Sequence, residues 1–382
     1  MKIKDIWIGR VSVPFKKPIT WGSGIRGGVN RLIVEITTDS GIKGLGETFH
    51  MSFTEAVLKQ NIKPLIIGED PHDIEKINRK IEGMGFYHHQ RAMTAALAAV
   101  NIALLDIIAK AAGQPLYKIL GGKYRDPISM IGYMFIDQPE VMAQTAKGLI
   151  GEGFTTIKVK VGVDEQHDIE SIAAVREAIG PAVQLRVDAN QAWAIGTAKR
   201  QIQKLQKYDP QYVEQPTRLD DLIGMAELRR SVSVPIAACE AAYTTYDVMN
   251  IIRHGAADVI NVDPHRAGGI WQAKKICAIA ESACLPVNVH SGVELGISTA
   301  ALLHIACSTP NILYAIDSHY HHQADDIITE PFRYEKGTIK VPEGPGLGVE
   351  LDPAKVEKYS SAPPIDLYVP LHDSWIPDKP KY

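Results

Sequence analysis

Eight short apolar segments recur between residues 128 and 317, and an amphipathic stretch separates each from the next. They are ISMIGYM (128–134), TTIKVKV (155–161), VQLRVDA (183–189), YVEQP (212–216), PIAACE (235–240), DVINVD (258–263), LPVNVH (285–290) and ILYAID (312–317). A parallel strand in an α/β protein is covered on both faces, so it reads as a near-continuous apolar run. The stretches between, such as DIESIAAVREAIG and GGIWQAKKICAIAESA, carry apolar residues at helical spacing. Eight alternating units predict a parallel (β/α) barrel of TIM type with its site at the strand C-terminal ends. A doubly wound open sheet is the competing arrangement.

Outside this region the pattern changes. Residues 1–125 are mixed: Ile3–Pro14 and Arg31–Thr37 read as strands, and Phe53–Gly113 has helical periodicity ending at a glycine cap. The expected division is 1–125 as an N-terminal α+β domain, 126–329 as the barrel and 330–382 as a segment returning to the first domain. GSGIRGG at 22–28 contains a formal GxGxxG, but the β-rich VNRLIVEI follows it where a dinucleotide fingerprint needs a helix. It reads as a glycine-rich loop.

Composition sets the class. The chain has 382 residues, 45% hydrophobic and 22% charged, with a net charge of −3. That gives no case for nucleic acid or an anionic membrane as partner. Cys239, Cys277, Cys284 and Cys307 form no CxxC pair, which favours a reduced, cytoplasmic compartment. The charged, alternating N-terminus reads as a strand, and no uninterrupted run approaches 18 apolar residues.

Polar residues gather where the strand patterns end. Asp188, Glu214 and Glu240 are spaced 26 residues apart, one βα unit per step. Each alone could be a helix N-cap. Three at equal steps would repel one another unless a hard divalent cation such as Mg²⁺ joined them. Lys158 and Lys160 share one face of the second strand, and an inward lysine pair must meet anions. Beside a second ammonium and a metal, such an amine should titrate below free lysine and serve as a base. Asp263 and His290, 27 residues apart, close adjacent strands and can pair, leaving the other imidazole nitrogen as a second base.

As an ordered set, KVKVG (158–162), RVDANQAW (186–193), VEQP (213–216), CE (239–240), the Asp263–His290 spacing and GG (268–269) resemble the mandelate racemase branch of the enolase superfamily. That resemblance implies a capping domain over a modified barrel, with Mg²⁺ on Asp188, Glu214 and Glu240 and a small-molecule carboxylate as substrate. The C-terminal third, with AIDSHYHHQ (315–323), EPF (330–332) and VPEGPGLGVELD (341–352), is similar to glucarate dehydratases. By this likeness Lys160 is one base, with Lys158 beside it near the substrate carboxylate. His290 with Asp263 acts on the other face, and Tyr133, Asn190, Asp317 and His319 are polar contacts. Cys239 stands where those dehydratases carry an amide, and SGVEL follows His290. The expectation is dehydration of a sugar acid to a 2-keto-3-deoxy acid, with 1,1-proton transfer by a racemase or epimerase as the alternative. No base or ligand is missing, which argues against a non-catalytic binding barrel. Arg26, His50, His88 and His89 are candidates for the distal end of a substrate, and a symmetric homo-oligomer is expected from the family.

Overall fold

The computed structural model describes residues 1–21, 24–84 and 90–366. His88, His89 and the Gly22 end of the glycine-rich loop lie outside these residues. The chain opens with an antiparallel sheet in the order β1 (Ile3–Trp21), β2 (Gly24–Thr38), β3 (Lys43–Phe49). Leu32, Val34 and Ile36 alternate along β2 with the pleat and are buried. The helix Gln90–Ala111 lies across this sheet. It can approach closely because β3 offers glycine: a Cβ on Gly44 would stand 2.1 Å from the Ala103 carbonyl oxygen, and one on Gly46 1.9 Å from that of Ala99. By length and composition the stretch Arg91–Ala111 could cross a bilayer, but 83% of its apolar window is buried inside the protein. β3 and its neighbours answer that apolarity.

Seven strands form one parallel sheet in chain order: β5 (Gly132–Met134), β6 (Thr156–Lys160), β7 (Gln184–Asp188), β8 (Tyr212–Glu214), β9 (Ile236–Ala238), β10 (Val259–Val262) and β11 (Val287–Val289), preceded by the short β4 (Ile128–Ser129). The eighth predicted segment is not a ladder strand. Its Ile312 makes a single bridge to Val287 of β11 and its Ile316 a single bridge to Met130, so residues 312–317 span the two edges of the curled sheet. Asp317 N–H donates to Val289 O and Ile316 N–H to Ser129 O, both 2.9 Å. β12 (Thr338–Ile339) pairs antiparallel with β4. Past it, Asn30 of β2 exchanges two hydrogen bonds with the Ile365 backbone, 2.7 and 2.9 Å.

The parallel register decides which side chains meet inside the barrel. Lys160 is opposite Asp188, and Asp188 opposite Glu214; Lys158 is opposite Arg186, and Arg186 opposite Tyr212. One layer of the interior is therefore Lys160–Asp188–Glu214, and the layer below is Lys158–Arg186–Tyr212. In the lower layer the Arg186 guanidinium lies over the Tyr212 ring at 4.9 Å and donates to Ala315 O at 2.8 Å. The barrel interior is polar toward its C-terminal mouth.

Candidate active site

Lysines and carboxylates interlock at the ends of β6, β7 and β8. Lys158 Nζ lies 2.6 Å from Glu214 Oε2, 2.6 Å from Asp317 Oδ2 and 3.2 Å from Asp188 Oδ2. Lys160 Nζ donates to Asp188 Oδ2 at 2.6 Å and to Asn190 Oδ1 at 2.7 Å. The expectation of lysines titrating below free lysine is corrected here. Burial does push the amines down, but Asp317, Glu214 and Asp188 outweigh it for Lys158, and Asp188 does so for Lys160. Both ammoniums are held above their ordinary value. A like-charged neighbour loses to three carboxylates around Lys158 and to the one in contact with Lys160. Glu214 moves the other way, pushed up to about 8 by burial and then by the Asp188 charge.

The turns after β7, β8 and β11 are strained and laced together. Asn190, Gln191, Gln215 and Val293 have φ of 43°, 68°, 33° and 67°, the left-handed region that costs a non-glycine residue about 1–3 kcal/mol. Each polar side chain among them is used. Asn190 Nδ2 donates to Glu240 Oε1 at 3.0 Å, and its backbone N–H to Asp188 Oδ1 at 2.9 Å. Gln191 Oε1 accepts from Leu219 N–H at 3.0 Å. Gln215 Oε1 accepts from the N–H groups of Cys239 and Ala241, at 3.0 and 3.1 Å, and so straddles Glu240.

Across the mouth, His290 Nδ1 lies 3.1 Å from Asp263 Oδ2. Asp263 also accepts His265 N–H at 2.8 Å, and Arg266 Nε stands 3.4 Å away. Burial opposes its charge, but hydrogen bonds from His265 and His290 hold its carboxyl well below the usual range. With Nδ1 turned to Asp263, the other nitrogen of His290 is the one available to a substrate. Spacing did not reveal Arg266, whose Nη1 donates to Cys239 Sγ at 3.2 Å. Its only sequence signal is its place three residues after Asp263.

A cavity of about 340 Å³ separates this side from the lysine side. Lys160, Asn190, Glu240, Arg266 and His290 line it from the barrel, and Trp21, Arg26, Phe49, His50 and Met51 from the capping domain. Arg26 lies over the Trp21 ring at 4.5 Å, and Lys160 Nζ is 5.9 Å from that ring. Tyr133 and His319 form one wall with ring centroids 4.0 Å apart; Tyr133 Oη and His319 Nε2 are buried without hydrogen-bond partners. Burial, then the Lys160 charge, hold His319 well below its ordinary value. Lys158, Asp188, Glu214 and Asp317 do not line the cavity; they are buried behind Lys160. Asp317, expected as a substrate contact, is instead engaged by Lys158 and by Asn288 Nδ2 at 3.0 Å.

The donor set fits a hard cation. Glu214 Oε1 and Glu240 Oε2 are buried carboxylate oxygens without hydrogen-bond partners, next to a third acid, Asp188, on the adjoining strand. The three are not drawn tight: the Lys158 ammonium stands between Asp188 and Glu214, and Asn190 bridges toward Glu240. Among the described residues, the His, Cys, Asp and Glu ligand atoms that gather within 4.8 Å of one another are those of Glu214, Cys239 and His290.

Two family models cover most of the chain: "Mandelate racemase / muconate lactonizing enzyme, N-terminal domain" over residues 4–121, and "Enolase C-terminal domain-like" over 141–355. The chain belongs to the mandelate racemase/muconate lactonizing enzyme family of the enolase superfamily. Within this family it is 30% identical to the N-succinyl-L-Arg/Lys racemase of Bacillus cereus, over 92% of this chain and 96% of that protein. It is 28% identical to the D-xylonate dehydratase of Haloferax volcanii, over 86% and 85%. An enolase structure from Streptomyces coelicolor superposes with a TM-score of 0.89 at 36% identity, covering 94% of this chain and 97% of that one. The dipeptide epimerase of Enterococcus faecalis, complexed with Mg and L-Leu-L-Tyr, superposes at 0.85 and 32% identity, over 92% and 100%. Epimerases and racemases thus outrank dehydratases among the relatives, the reverse of the order expected from the C-terminal third.

Proposed function

We propose that this enzyme is a Mg²⁺-dependent racemase or epimerase that moves the proton on the carbon α to a carboxylate. The observation that carries the reading is that Lys160 and His290 line one cavity of about 340 Å³ from β6 and from the end of β11, with Glu240 between the strands that bear them. The racemase and epimerase relatives support it.

Asp188, Glu214 and Glu240 would hold the Mg²⁺, which supplies positive charge against the negative charge that builds on the substrate carboxylate as the α-proton leaves. The chain's own groups do the rest. Lys160 takes the proton from one face and His290 returns one from the other; for the opposite isomer the roles exchange. Asp188 holds the Lys160 ammonium in its charged form, so engaging the Asp188 charge elsewhere releases the amine as a base. Asp263 orients His290 through Nδ1, leaving the other ring nitrogen to face the substrate. Tyr133, Asn190 and His319 would contact the substrate's polar groups. Trp21, Arg26, Phe49 and His50 close the distal end of the cavity and exclude water.

Dehydration of a sugar acid is the second reading. The same two bases serve it, with protonated His290 assisting departure of a β-hydroxyl, and the D-xylonate dehydratase relative favours it. One screen separates the two. N-acyl amino acids, dipeptides and sugar acids are incubated with enzyme and Mg²⁺ in D₂O. Exchange of the α-hydrogen with a change in optical rotation and no keto acid is expected. Formation of a 2-keto acid without epimer would replace the first reading by the second.

A further inference from the structure

Asp263 pairs with two imidazoles, and the one that faces away from the cavity, His265, is gripped by the capping domain. His265 is buried on α-turn Pro264–Ala267, directly after Asp263. Its Nδ1 lies 3.1 Å from Asp263 Oδ1. Its Nε2 lies 3.1 Å from Arg31 Nη2 and 2.8 Å from Ser298 Oγ. A guanidinium only donates hydrogen bonds. The Arg31 N–H therefore requires a lone pair on Nε2, and the ring proton belongs on Nδ1, where it points at Asp263.

Arg31 cannot readily turn away. It is 1% exposed on β2, its Nε donates to Glu47 Oε1 at 2.6 Å, and its guanidinium lies over the Phe49 ring at 4.8 Å. Glu47 is fixed in turn, its two oxygens accepting the N–H groups of Leu295 and Ser298, each at 2.9 Å. The consequence falls on Asp263. Oδ1 is occupied by two donors from residue 265, the backbone N–H and Nδ1–H, so Oδ2 is the oxygen left for His290.

We propose that Arg31 and His265 are positioning residues for the His290 base: the capping domain sets the tautomer of His265, and His265 sets which way the Asp263 carboxylate faces His290. Neither touches the reacting atoms. The inference rests on the proposed two-base reaction, and it predicts an effect on one face only, because Lys160 is held by a separate set of partners, Asp188 and Asn190.

Two measurements test it. The first needs neither variant activity nor substrate: ¹⁵N–¹H correlation spectra of histidine-labelled wild-type protein, with the His265 signals identified by their loss in His265→Asn. The expected pattern is a protonated Nδ1 and an unprotonated Nε2, and a proton on Nε2 would overturn the proposal. The second follows α-hydrogen exchange in D₂O from each isomer of a turned-over substrate. In Arg31→Met and His265→Asn, exchange through His290 should fall about 10-fold or more, the usual scale for a lost orienting partner. Exchange through Lys160 should fall less than about 2-fold, and the pH dependence should move for the His290 direction alone. Equal losses in both directions would reduce Arg31 and His265 to fold stabilisers and sink the proposal. Absence of α-exchange in the wild-type enzyme would instead reject the two-base reaction and leave the tautomer result standing.

Discussion

Lys160 Nζ stands 2.6 Å from Asp188 Oδ2. The contact follows from the β6–β7 register, which places the two residues opposite each other. It holds the lysine as a cation for as long as the carboxylate's charge is not taken up by something else.

Removing each base should be asymmetric. Lys160→Ala should abolish α-proton exchange on one isomer, and His290→Asn on the other, each by at least about 100-fold, within the usual range for a positioned acid–base group. Each variant should retain some exchange through the remaining base. Deuterium incorporation read by proton NMR checks this, with circular dichroism reporting an intact fold. Full turnover in either variant would reject the assignment.

Metal removal should be reversible. Dialysis against a chelator should abolish turnover, and Mg²⁺ should restore it. Mg²⁺ should also raise the melting temperature, because the proposed ligands Asp188, Glu214 and Glu240 come together only in the folded chain; at 100 times its Kd the gain is about 2.7 kcal/mol. Glu214→Gln should weaken the shift, measured by differential scanning fluorimetry across a Mg²⁺ titration.

Gly46→Ala should be costly although it adds one methyl. The new Cβ would fall 1.9 Å from the Ala99 carbonyl oxygen, on helix backbone that has no rotamer to yield. The strand and the helix must part, at roughly 1–3 kcal/mol for overpacking. Urea denaturation should show the loss, and Gly148→Ala, on the helix Pro139–Gly151 with nothing within 4 Å of its Cβ, should show none.

His304 predicts a pH dependence. It is buried on the helix Gly296–Ser308, accepts Tyr117 N–H at Nδ1 (3.2 Å) and contacts Leu347 O through Nε2 (3.1 Å). Burial lowers it to about 4, below the ordinary histidine value of 6.5. The unfolded chain therefore takes up the proton first as pH falls. Its contribution is present above pH 6.5 and is lost between 6.5 and about 4, on the order of 3 kcal/mol at most. In His304→Gln the stability difference from wild type should shrink on going from pH 7 to pH 5. A constant difference would show that the imidazole does not titrate with unfolding.

What could be read from the sequence was whatever repeats. The apolar runs placed seven ladder strands, and the 26-residue steps placed Asp188 and Glu214 on adjoining strand ends, because successive βα units are of similar length in chain. The two-residue period placed Lys158 and Lys160 on one face. What resisted reading depends on distance through space. Ile312 and Ile316 make single bridges in place of a ladder, a difference of register that periodicity does not carry. The lysine titration depended on how many carboxylates reach each amine. Arg31 and His265 are 234 residues apart in the chain, and no local pattern joins them. Gln215 sits inside a motif quoted for its glutamate, yet its own side chain fixes the Glu240 loop.

The helix Gly296–Ser308 is wholly buried and its N-cap residue Leu295 has no capping side chain, so Asp326 accepts the Gly296 amide while Glu47 of β3 accepts those of Leu295 and Ser298. A barrel grafted onto the lid of another relative, as in recombination aimed at new specificity, would lose that acceptor unless the donor strand brought an equivalent acid. Swaps confined to the tips of the lid, around Trp21 and Met51, leave the joint intact and are where diversification of this scaffold should begin.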